Sequence, residues 1–316
     1  MKKVAILNLL NKSFLYRYCA YLIHKRACLK DPIGEINRIY EPVFGRKVNL
    51  SNPQNLVEKI FWMEMYGDLS NWTLMADKYR MREYVTLRGC GQYLPKLYAV
   101  WHSLKSFSKQ SWEELPSQFV IKANNGCGTV KIIKDKKQTN FWKLKKTLYE
   151  WLAIPYGYSG YQRHYLAIPP CIIAEELLKQ DDTLNKLSPT SMVDFKIWSF
   201  NGEPYCILVT YNRQNGRHSI DLYDTQWVRI NSNLRSHSSV TIADGDVFPK
   251  PSCLVEMLNI AAILSKGHPQ MRVDFYIVNG KPVLGELTMA SGVGSYSNEF
   301  YETLGSLTDI SLMKLK

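Results

Sequence analysis

The sequence lacks the patterns that mark several common classes of protein. Its seven cysteines are odd in number and scattered, and no two of them form a Cys-x-x-Cys pair. This usage favours free thiols in a reducing cytoplasm over a disulfide framework or a zinc site. No run of about 18 uninterrupted apolar residues occurs, so the sequence predicts no bilayer-spanning helix. The phosphate-binding pattern Gly-x-x-x-x-Gly-Lys-Ser/Thr is also absent.

Acidic residues are missing from positions 1–30, which carry seven lysines and arginines of a chain whose net charge is +12. Tyrosines and leucines interleave with these basic residues. The mixture suits peripheral contact with an anionic membrane, or a solvated helix packed against the body, and both interpretations stay open. A signal peptide is rejected because Asn8, Asn11 and Lys12 interrupt the apolar run and no small-residue cleavage site follows. Beyond position 30 basic residues mix with acids and no nucleic-acid-binding signature occurs, so no nucleic acid partner is expected.

The composition of the 316 residues, with 46% apolar and 22% charged, is that of a globular chain. Its patterns predict an α+β fold with antiparallel sheets flanked by helices. Residues 31–53 are turn-rich and indicate a connector. Helices are predicted at 56–66, with a cap near Ser51 or Asn52, and at 75–87, 141–152 and 251–266. Strands are predicted at 94–100, 118–122, 130–134 and 172–178, with two hairpins turning at Asn201-Gly202 and Asn279-Gly280.

A glycine-bearing loop follows one of these strands. Phe119–Lys122 runs into Asn124-Asn125-Gly126-Cys127-Gly128-Thr129. Backbone N–H groups of such a loop can form a nest for an anion, and Lys122 at the strand end can neutralise a phosphate. A plain hairpin turn is the alternative for this motif taken alone.

The strand at Ile172–Leu178 is apolar and contains two acids, Glu175 and Glu176. Its edge can offer backbone groups and a carboxylate to the amino group of an adenine, while aliphatic side chains such as Leu178 cover the ring. The alternative is a buried strand that carries two solvated glutamates.

Two carboxylates late in the chain, Asp274 and Glu286, have the spacing of a magnesium site. Mg²⁺ takes one or two carboxylates together with phosphate oxygens and water. An even number of positions separates the two acids, so they face the same side of one hairpin if its turn at 279–281 has three residues. Thr288 and Arg272 then share that face. The alternative is a surface salt bridge between Asp274 and Arg272.

These segments together resemble the ATP-grasp superfamily, in particular its TupA-like branch associated with teichuronopeptide and capsular polysaccharide synthesis. The resemblance covers roughly residues 49–294. Its motifs are Asn55–Trp62, Ala76–Val85, Phe119–Gly128, Ile173–Glu175, Asp194–Lys196 with Phe200–Pro204, Arg272–Tyr276 and Gly285–Thr288.

The resemblance implies an α+β ATP-grasp fold in which two lobes close over ATP, preceded by a helical N-terminal extension. It implies a basic extension and connector at 1–50, an N-terminal lobe at 51–117, a lid at 118–178 and a catalytic lobe at 179–316. Lys78 and Lys122 match the lysines that contact phosphates, and Lys196 and Arg272 match the residues that steady an acyl phosphate. The implied nucleotide and metal contacts are Asn125, Gly126, Gly128, Glu175, Glu176 and Leu178, Asp181 or Asp182 at the ribose, and Asp274 and Glu286 at magnesium. Many superfamily members have Asn where Thr288 stands, and the Thr288 hydroxyl supplies a neutral oxygen as the implied third metal ligand.

The implied activity is an ATP- and Mg²⁺-dependent ligation that joins a carboxylate to an amine through an acyl phosphate. Lys122, Lys196 and Arg272 are the expected catalytic residues. The expected substrates are an amino acid and a uronic acid of a bacterial surface polysaccharide, joined in the cytoplasm. Two alternatives are a glycosyltransferase or other polysaccharide-assembly enzyme, and a nucleotide-binding scaffold without catalysis.

Overall fold

The structure is a computed structural model that describes residues 13–316. These residues form two compact units. The first unit comprises residues 13–39, 77–79 and 96–177, and the second comprises 40–76, 80–95 and 178–316. Lys2, Lys3 and Lys12 of the basic segment lie outside the described residues. The four-part domain division stays a prediction.

The described chain contains helices and strands throughout, in keeping with the α+β expectation. The helices are α1 (Phe14–Lys30), α2 (Pro32–Phe44), α3 (Leu56–Tyr66), α4 (Ser70–Ala76), α5 (Met81–Leu87), α6 (Lys109–Glu113), α7 (Phe141–Ala153), α8 (Asp182–Leu187), α9 (Leu254–Ser265) and α10 (Asn298–Leu307). The strands are β1 (Leu97–Trp101), β2 (Phe119–Ala123), β3 (Val130–Ile133), β4 (Ile172–Glu175), β5 (Asp194–Phe200), β6 (Glu203–Gln214), β7 (Arg217–Asp224), β8 (Val240–Ile242), β9 (Met271–Val278) and β10 (Lys281–Thr288).

The first unit is built on a four-stranded antiparallel sheet of order β1-β4-β2-β3. Phe119, Ile121 and Ala123 of β2 alternate inward, onto a core that also contains Phe107 and Phe141. Side chains along a strand alternate between the two faces of a sheet. The alternation therefore places the side chain of Lys122 on the face away from this core.

The second unit is built on a six-stranded sheet of order β10-β9-β5-β6-β7-β8. Its strand pairs are antiparallel except for β7 and β8, which are parallel. Helix α9 packs against β5, β6 and β9 and buries Met257, Ile260 and Leu264. All seven residues of β5 are buried. Its polar side chains therefore need hydrogen-bond or ion-pair partners, because a buried polar group without one is destabilising.

The prediction of a turn-rich connector at 31–53 was wrong, because α2 occupies Pro32–Phe44. The turn-forming residues start this helix. The Gly34 N–H donates to Asp31 Oδ1 at 2.9 Å, and Pro32 stands where the first helical residue needs no N–H donor. Ile36 and Tyr40, one turn apart, are fully buried. Residues typical of turns can therefore also cap the start of a helix.

Helix α3 has the predicted bounds, but its cap is Asn55 and not Ser51 or Asn52. Asn55 Oδ1 accepts the Glu58 N–H at 2.9 Å, and Glu58 Oε2 accepts the Asn55 N–H at 3.3 Å. This reciprocal arrangement is a capping box. Glu58 is fully buried, and Arg46 donates to its Oε1 at 2.5 Å.

The single helix predicted at 75–87 is two helices, α4 and α5, separated at residues 77–80. Asp77 Oδ1 accepts the Tyr79 N–H at 2.9 Å, a local turn that competes with helical hydrogen bonding. Residues 77–79 of this break belong to the first unit, whereas Arg80 belongs to the second. Lys78 therefore lies in the same unit as the glycine loop.

All seven cysteines lie among residues 13–316 and are free thiols. No helix in this part of the chain is both long enough and apolar enough to cross a bilayer.

Candidate active site

The glycine loop of the first unit is held at its base by Asn124, which is fully buried. Its Nδ2 donates to Asp77 Oδ1 and to the Pro169 carbonyl, each at 2.9 Å. Its Oδ1 accepts the Cys171 N–H at 2.7 Å. Buried amides with satisfied donors and acceptors fix a backbone in one conformation. The connection between β2 and β3 is thus a pinned loop at 124–129 and more than a tight hairpin turn.

Two glycines give this loop its shape. Gly126 and Gly128 have φ angles of 96° and 76°, which residues with a Cβ rarely adopt. A Cβ on Gly126 would lie 2.6 Å from Cγ of Tyr156, so this ring packs directly on the loop backbone. Asn125 is buried beside Gly126, whereas Gly128 is exposed. The three predicted loop contacts therefore lie together in one constrained segment.

Lys78 is bound to the same loop. Its backbone N–H donates to the Asn124 carbonyl at 3.0 Å, and its Nζ donates to the Gly126 carbonyl at 2.7 Å. The break between α4 and α5 is what places this lysine at the loop. An ammonium group has three donors, so one hydrogen bond to a carbonyl does not exhaust its capacity. Contact between Lys78 and a phosphate stays a prediction.

Lys122 forms an ion pair with Glu175 across β2 and β4. The strands are registered so that Val120 lies opposite Glu175 and Lys122 opposite Ile173. The Glu175 side chain is buried, and that of Lys122 keeps 18% of its surface exposed. The alternative of two solvated glutamates holds only for Glu176, which is exposed. Leu178, expected near the adenine, is half-buried and begins a segment of the second unit.

In the second unit, Asp274 and Glu286 are direct partners across the hairpin of β9 and β10, and Thr288 is opposite Arg272. The expected three-residue turn was wrong. Asn279 and Gly280 form a two-residue turn with φ angles of 52° and 71°. The register then shifts by one residue between Leu284 and Glu286, because the strand bulges at Gly285. The bulge brings the two carboxylates to one face.

Asp274 is the centre of an ion network. Arg272 donates from Nε to Oδ1 at 2.7 Å and from Nη2 to Oδ2 at 2.8 Å, and Lys196 Nζ donates to Oδ2 at 2.5 Å. Arg272 Nη2 also lies 3.1 Å from the Thr288 hydroxyl and 3.8 Å from Glu286 Oε1. Asp274 is only 2% exposed. The salt bridge considered as an alternative therefore exists, but it is buried and shared.

The electrostatics of this network keep Asp274 and Arg272 charged. Burial alone would raise the pKa of Asp274, but Arg272 and Lys196 outweigh burial and hold that pKa below its ordinary value. Burial would likewise lower the pKa of Arg272, yet Asp274 and Glu286 raise it further above its ordinary range. The network is consequently a fixed array of opposite charges.

Asp194 and Arg213 extend the array, and sequence reasoning did not select either of them as a site residue. Asp194 Oδ2 lies 2.6 Å from Lys196 Nζ and 3.0 Å from Arg213 Nη2. Asp194 Oδ1 is buried without a hydrogen-bond partner among residues 13–316. The negative charge of Asp194, together with burial, raises the pKa of Tyr276. Asp194 and Lys196 stand two positions apart on one strand, and this period was the signal available in the sequence.

The oxygens on this hairpin match a hard divalent cation in type. Asp274, Glu286 and Thr288 offer two carboxylates and a hydroxyl, and the Thr288 hydroxyl lies 3.4 Å from Glu286 Oε1. Both oxygens of Asp274 already accept from cations, whereas the Glu286 side chain is 37% exposed. No group of three His, Cys, Asp or Glu side chains suited to a metal occurs between residues 13 and 316. Such a donor set fits Mg²⁺ that keeps water and substrate phosphates as its other ligands.

The two aspartates considered for the ribose have different environments. Asp181 accepts the N–H groups of Asn279 and Gly280, at 2.6 Å and 2.9 Å. Its carboxylate thus holds the turn of the β9–β10 hairpin. Asp182 is exposed in the first turn of α8. Of the two, Asp182 is the residue whose carboxylate does not hold the hairpin turn, and its contact with a ribose stays a prediction.

Comparison with known proteins assigns a family. Residues 58–308 match the family model of TupA-like ATPgrasp, and the chain belongs to this family. No curated protein matches the chain in sequence.

Several solved structures are similar to this fold. D-alanine–D-alanine ligase from Bacillus anthracis, in complex with ATP, is 14% identical with a TM-score of 0.47, over 77% of this chain and 67% of that one. L-amino acid ligase from Bacillus licheniformis is 13% identical with a TM-score of 0.41, over 87% and 56%. The ATP-grasp ligase PsnB, in complex with a precursor variant, Mg and ADP, is 13% identical with a TM-score of 0.38, over 80% and 65%. Likenesses this distant carry no argument about activity.

Proposed function

We propose that this protein is an ATP- and Mg²⁺-dependent ligase that joins a carboxylate to an amine. In the first step the γ-phosphoryl group of ATP passes to the substrate carboxylate, giving an acyl phosphate and ADP. In the second step the amine nitrogen attacks the acyl carbon, phosphate leaves, and the nitrogen loses a proton to give an amide. The observation that carries the proposal is the buried array in which Arg272 and Lys196 flank Asp274.

Negative charge collects on the oxygens of the phosphoryl group as it is transferred. Fixed cations that need no rearrangement at that moment stabilise this charge most effectively. Arg272 and Lys196 meet that requirement, since buried carboxylates hold both of them in place. Bound Mg²⁺ would neutralise phosphate oxygens, and Asp274, Glu286 and Thr288 would hold it.

The nucleotide-binding role falls to the first unit. The pinned glycine loop presents backbone N–H groups, and Lys78 and Lys122 supply positive charge beside it. Glu175 and Glu176 at the end of β4 would serve the adenine. In the proposed reaction the substrate carboxylate itself accepts the phosphoryl group, so no covalent enzyme nucleophile is required.

The array also offers a group for the amine substrate. Asp194 keeps one buried carboxylate oxygen that accepts from no donor in the described chain. A buried carboxylate oxygen gains from an N–H donor, and an ammonium group is its charge complement. We assign Asp194 Oδ1 to the incoming amine. The choice of an amino acid and a uronic acid of a surface polysaccharide as substrates, and of the cytoplasm as the location, rests on the TupA-like resemblance.

The experiment that tests this function is a substrate matrix. Purified protein is incubated with Mg-ATP and pairs of uronic acids and amino acids, and ADP, AMP and phosphate are measured. ADP release that depends on both substrates supports ligation. AMP release would indicate adenylation, and consumption of a nucleotide sugar without ATP turnover would indicate a glycosyltransferase; either result refutes the proposal.

A pair of variants controls the assay. Glu286→Gln keeps the size of a half-exposed side chain and removes one proposed metal ligand, so ADP release should fall by roughly a hundredfold or more. Glu203→Gln changes an exposed glutamate of β6 that belongs to no part of the array, and it should leave ADP release unchanged.

A further inference from the structure

Helix α1 packs on the first unit through polar contacts. Arg17 Nη2 donates to Glu150 Oε2 at 2.8 Å, and the Cys28 thiol donates to the Tyr158 carbonyl at 3.1 Å. His24 Nδ1 shares a 2.9 Å hydrogen bond with Glu35. No residue of α1 is fully buried. The side of the helix that faces the protein therefore makes polar contacts, alongside a ring contact between Tyr21 and Tyr158.

The opposite side of α1 is apolar and exposed. Leu15, Ile23 and Leu29 have 69%, 67% and 70% of their surface exposed, and Leu22 has 45%. Together with Tyr18 these residues form what we call the outer face of α1. Leu15, Tyr18, Leu22 and Leu29 recur at spacings of three, four and seven, so they share one side of the helix, and Ile23 lies next to Leu22 at the edge of that side.

Basic residues accompany the outer face. Arg26 and Lys30 are exposed, Lys25 is half-exposed, and no acid occurs between residues 13 and 30. A long cationic side chain beside exposed leucines can place its stem along an apolar phase and its charge among anions. The surface that α1 presents is thus apolar and cationic at once.

We propose that the outer face of α1 binds the surface of an anionic lipid bilayer, with the helix lying in the plane of the interface. An anionic bilayer supplies both complements of this face, acyl carbon for Leu15, Leu22, Ile23 and Leu29 and headgroup charge for the basic residues. A second copy of the chain matches it poorly, because pairing two outer faces would bring like charges together. The inference goes beyond the ligase, since it concerns where the protein binds and not what it joins.

The test uses the full chain and sedimentation with vesicles. Vesicles of phosphatidylcholine alone are compared with vesicles that also contain phosphatidylglycerol. Binding is expected only to the anionic vesicles, and it should weaken as salt rises, because exposed charges are screened beyond about 10 Å at 0.1 M ionic strength. Absence of binding at low salt, or equal binding to both vesicles, would overturn the proposal.

Two sets of variants separate the apolar contribution from the charge. Leu22→Ser with Ile23→Ser should lower the partition coefficient roughly tenfold or more. Arg26→Gln with Lys30→Gln should lower it about 25-fold, at roughly fivefold per charge. The matched controls lie in the second unit. Leu87→Ser with Val255→Ser, and Lys250→Gln with Lys266→Gln, change exposed residues of the same types, and these variants should bind as the parent protein does.

The same variants also test whether a second copy of the chain, and not a bilayer, covers the outer face of α1. If the protein is a dimer in solution and Leu22→Ser with Ile23→Ser makes it monomeric, the outer face is an interface between copies and the proposal is wrong. Vesicle binding that is unaffected by the paired serines also contradicts it. If that variant fails to fold, the single change Leu29→Ser, at a side chain that is 70% exposed, can be compared with the parent protein in the same vesicle and oligomer assays.

Discussion

Replacing Lys122 by Met tests the nucleotide-binding half of the proposal. This variant should also destabilise the fold, because Met at position 122 would leave the buried carboxylate of Glu175 without its cation. Removing one partner of a buried pair costs about 3–5 kcal/mol. Because the Lys122 side chain keeps 18% exposure, we expect the lower end, about 3 kcal/mol. The matched variant is Lys122→Met with Glu175→Gln, which deletes both charges and should recover most of that loss.

The effect on nucleotide affinity is separate from this stability cost. A charge-assisted contact is worth about 1.5–3 kcal/mol, so loss of the lysine should weaken binding roughly ten- to hundredfold. A ligand present at 100 times its dissociation constant stabilises the native state by about 2.7 kcal/mol. For a variant that binds thirtyfold more weakly, the same concentration should stabilise by only about 0.9 kcal/mol.

The assay is thermal and urea unfolding with and without a non-hydrolysable ATP analogue, together with calorimetric titration of the analogue. Both Met variants and the single control Glu175→Gln are compared with the parent protein. A folded double variant whose affinity for the analogue equals that of the parent would refute the reasoning. The glycine loop would then be a structural connection with no part in binding phosphate.

Two further predictions concern the second unit. Asp274→Asn should destabilise the protein by about 3 kcal/mol, because Arg272 and Lys196 each lose the buried carboxylate that they share. Glu286→Gln should cost less than about 1 kcal/mol. Urea unfolding of both variants checks this, and equal losses would contradict the buried network. Glu58→Gln should cost about 2 kcal/mol at pH 7, since Arg46 and several backbone N–H groups outweigh burial and hold the pKa of Glu58 below its ordinary value. A depressed pKa gives stability that is present above the unfolded value of about 4.3 and is lost as pH falls, so the gap between parent and variant should close in acid; a gap that stays constant down to pH 3 would disprove the assignment.

The pairing of Asp274 with Glu286 across β9 and β10 could be predicted from the sequence, because the prediction used only the alternation of side chains along a strand. With a two-residue turn and no bulge, Asp274 and Glu286 would lie on opposite faces of the hairpin. One extra residue, either in the turn or in a bulge, brings them to the same face. The sequence does not show where that residue goes, and the structure has it at Gly285 and not at the turn. A Cβ on Gly285 would approach the Tyr276 ring to 3.1 Å, a packing constraint that no local pattern reveals.

Local patterns failed where a distant partner decides the structure. Residues 75–87 have the composition of one helix, but hydrogen bonds from Asn124 to Asp77 and from Lys78 to Asn124 favour a break there. Likewise the strand pattern locates Lys122 without indicating Glu175, which arrives from another part of the chain by strand pairing. Non-local hydrogen bonds and ion pairs have no signature in a window of sequence, and they determine these positions.

The charged array of the second unit restricts how this sequence can vary among relatives. Three cations, Arg213, Lys196 and Arg272, alternate with three carboxylates, those of Asp194, Asp274 and Glu286, so the array as a whole is neutral. Loss of any buried member leaves its neighbour with an unbalanced charge, and the cost is shared between adjacent positions and not additive. Substitutions at Lys196 should therefore be found together with compensating changes at Asp194 or Asp274, whereas Glu286, at the solvent-facing end, can change alone at little cost to folding.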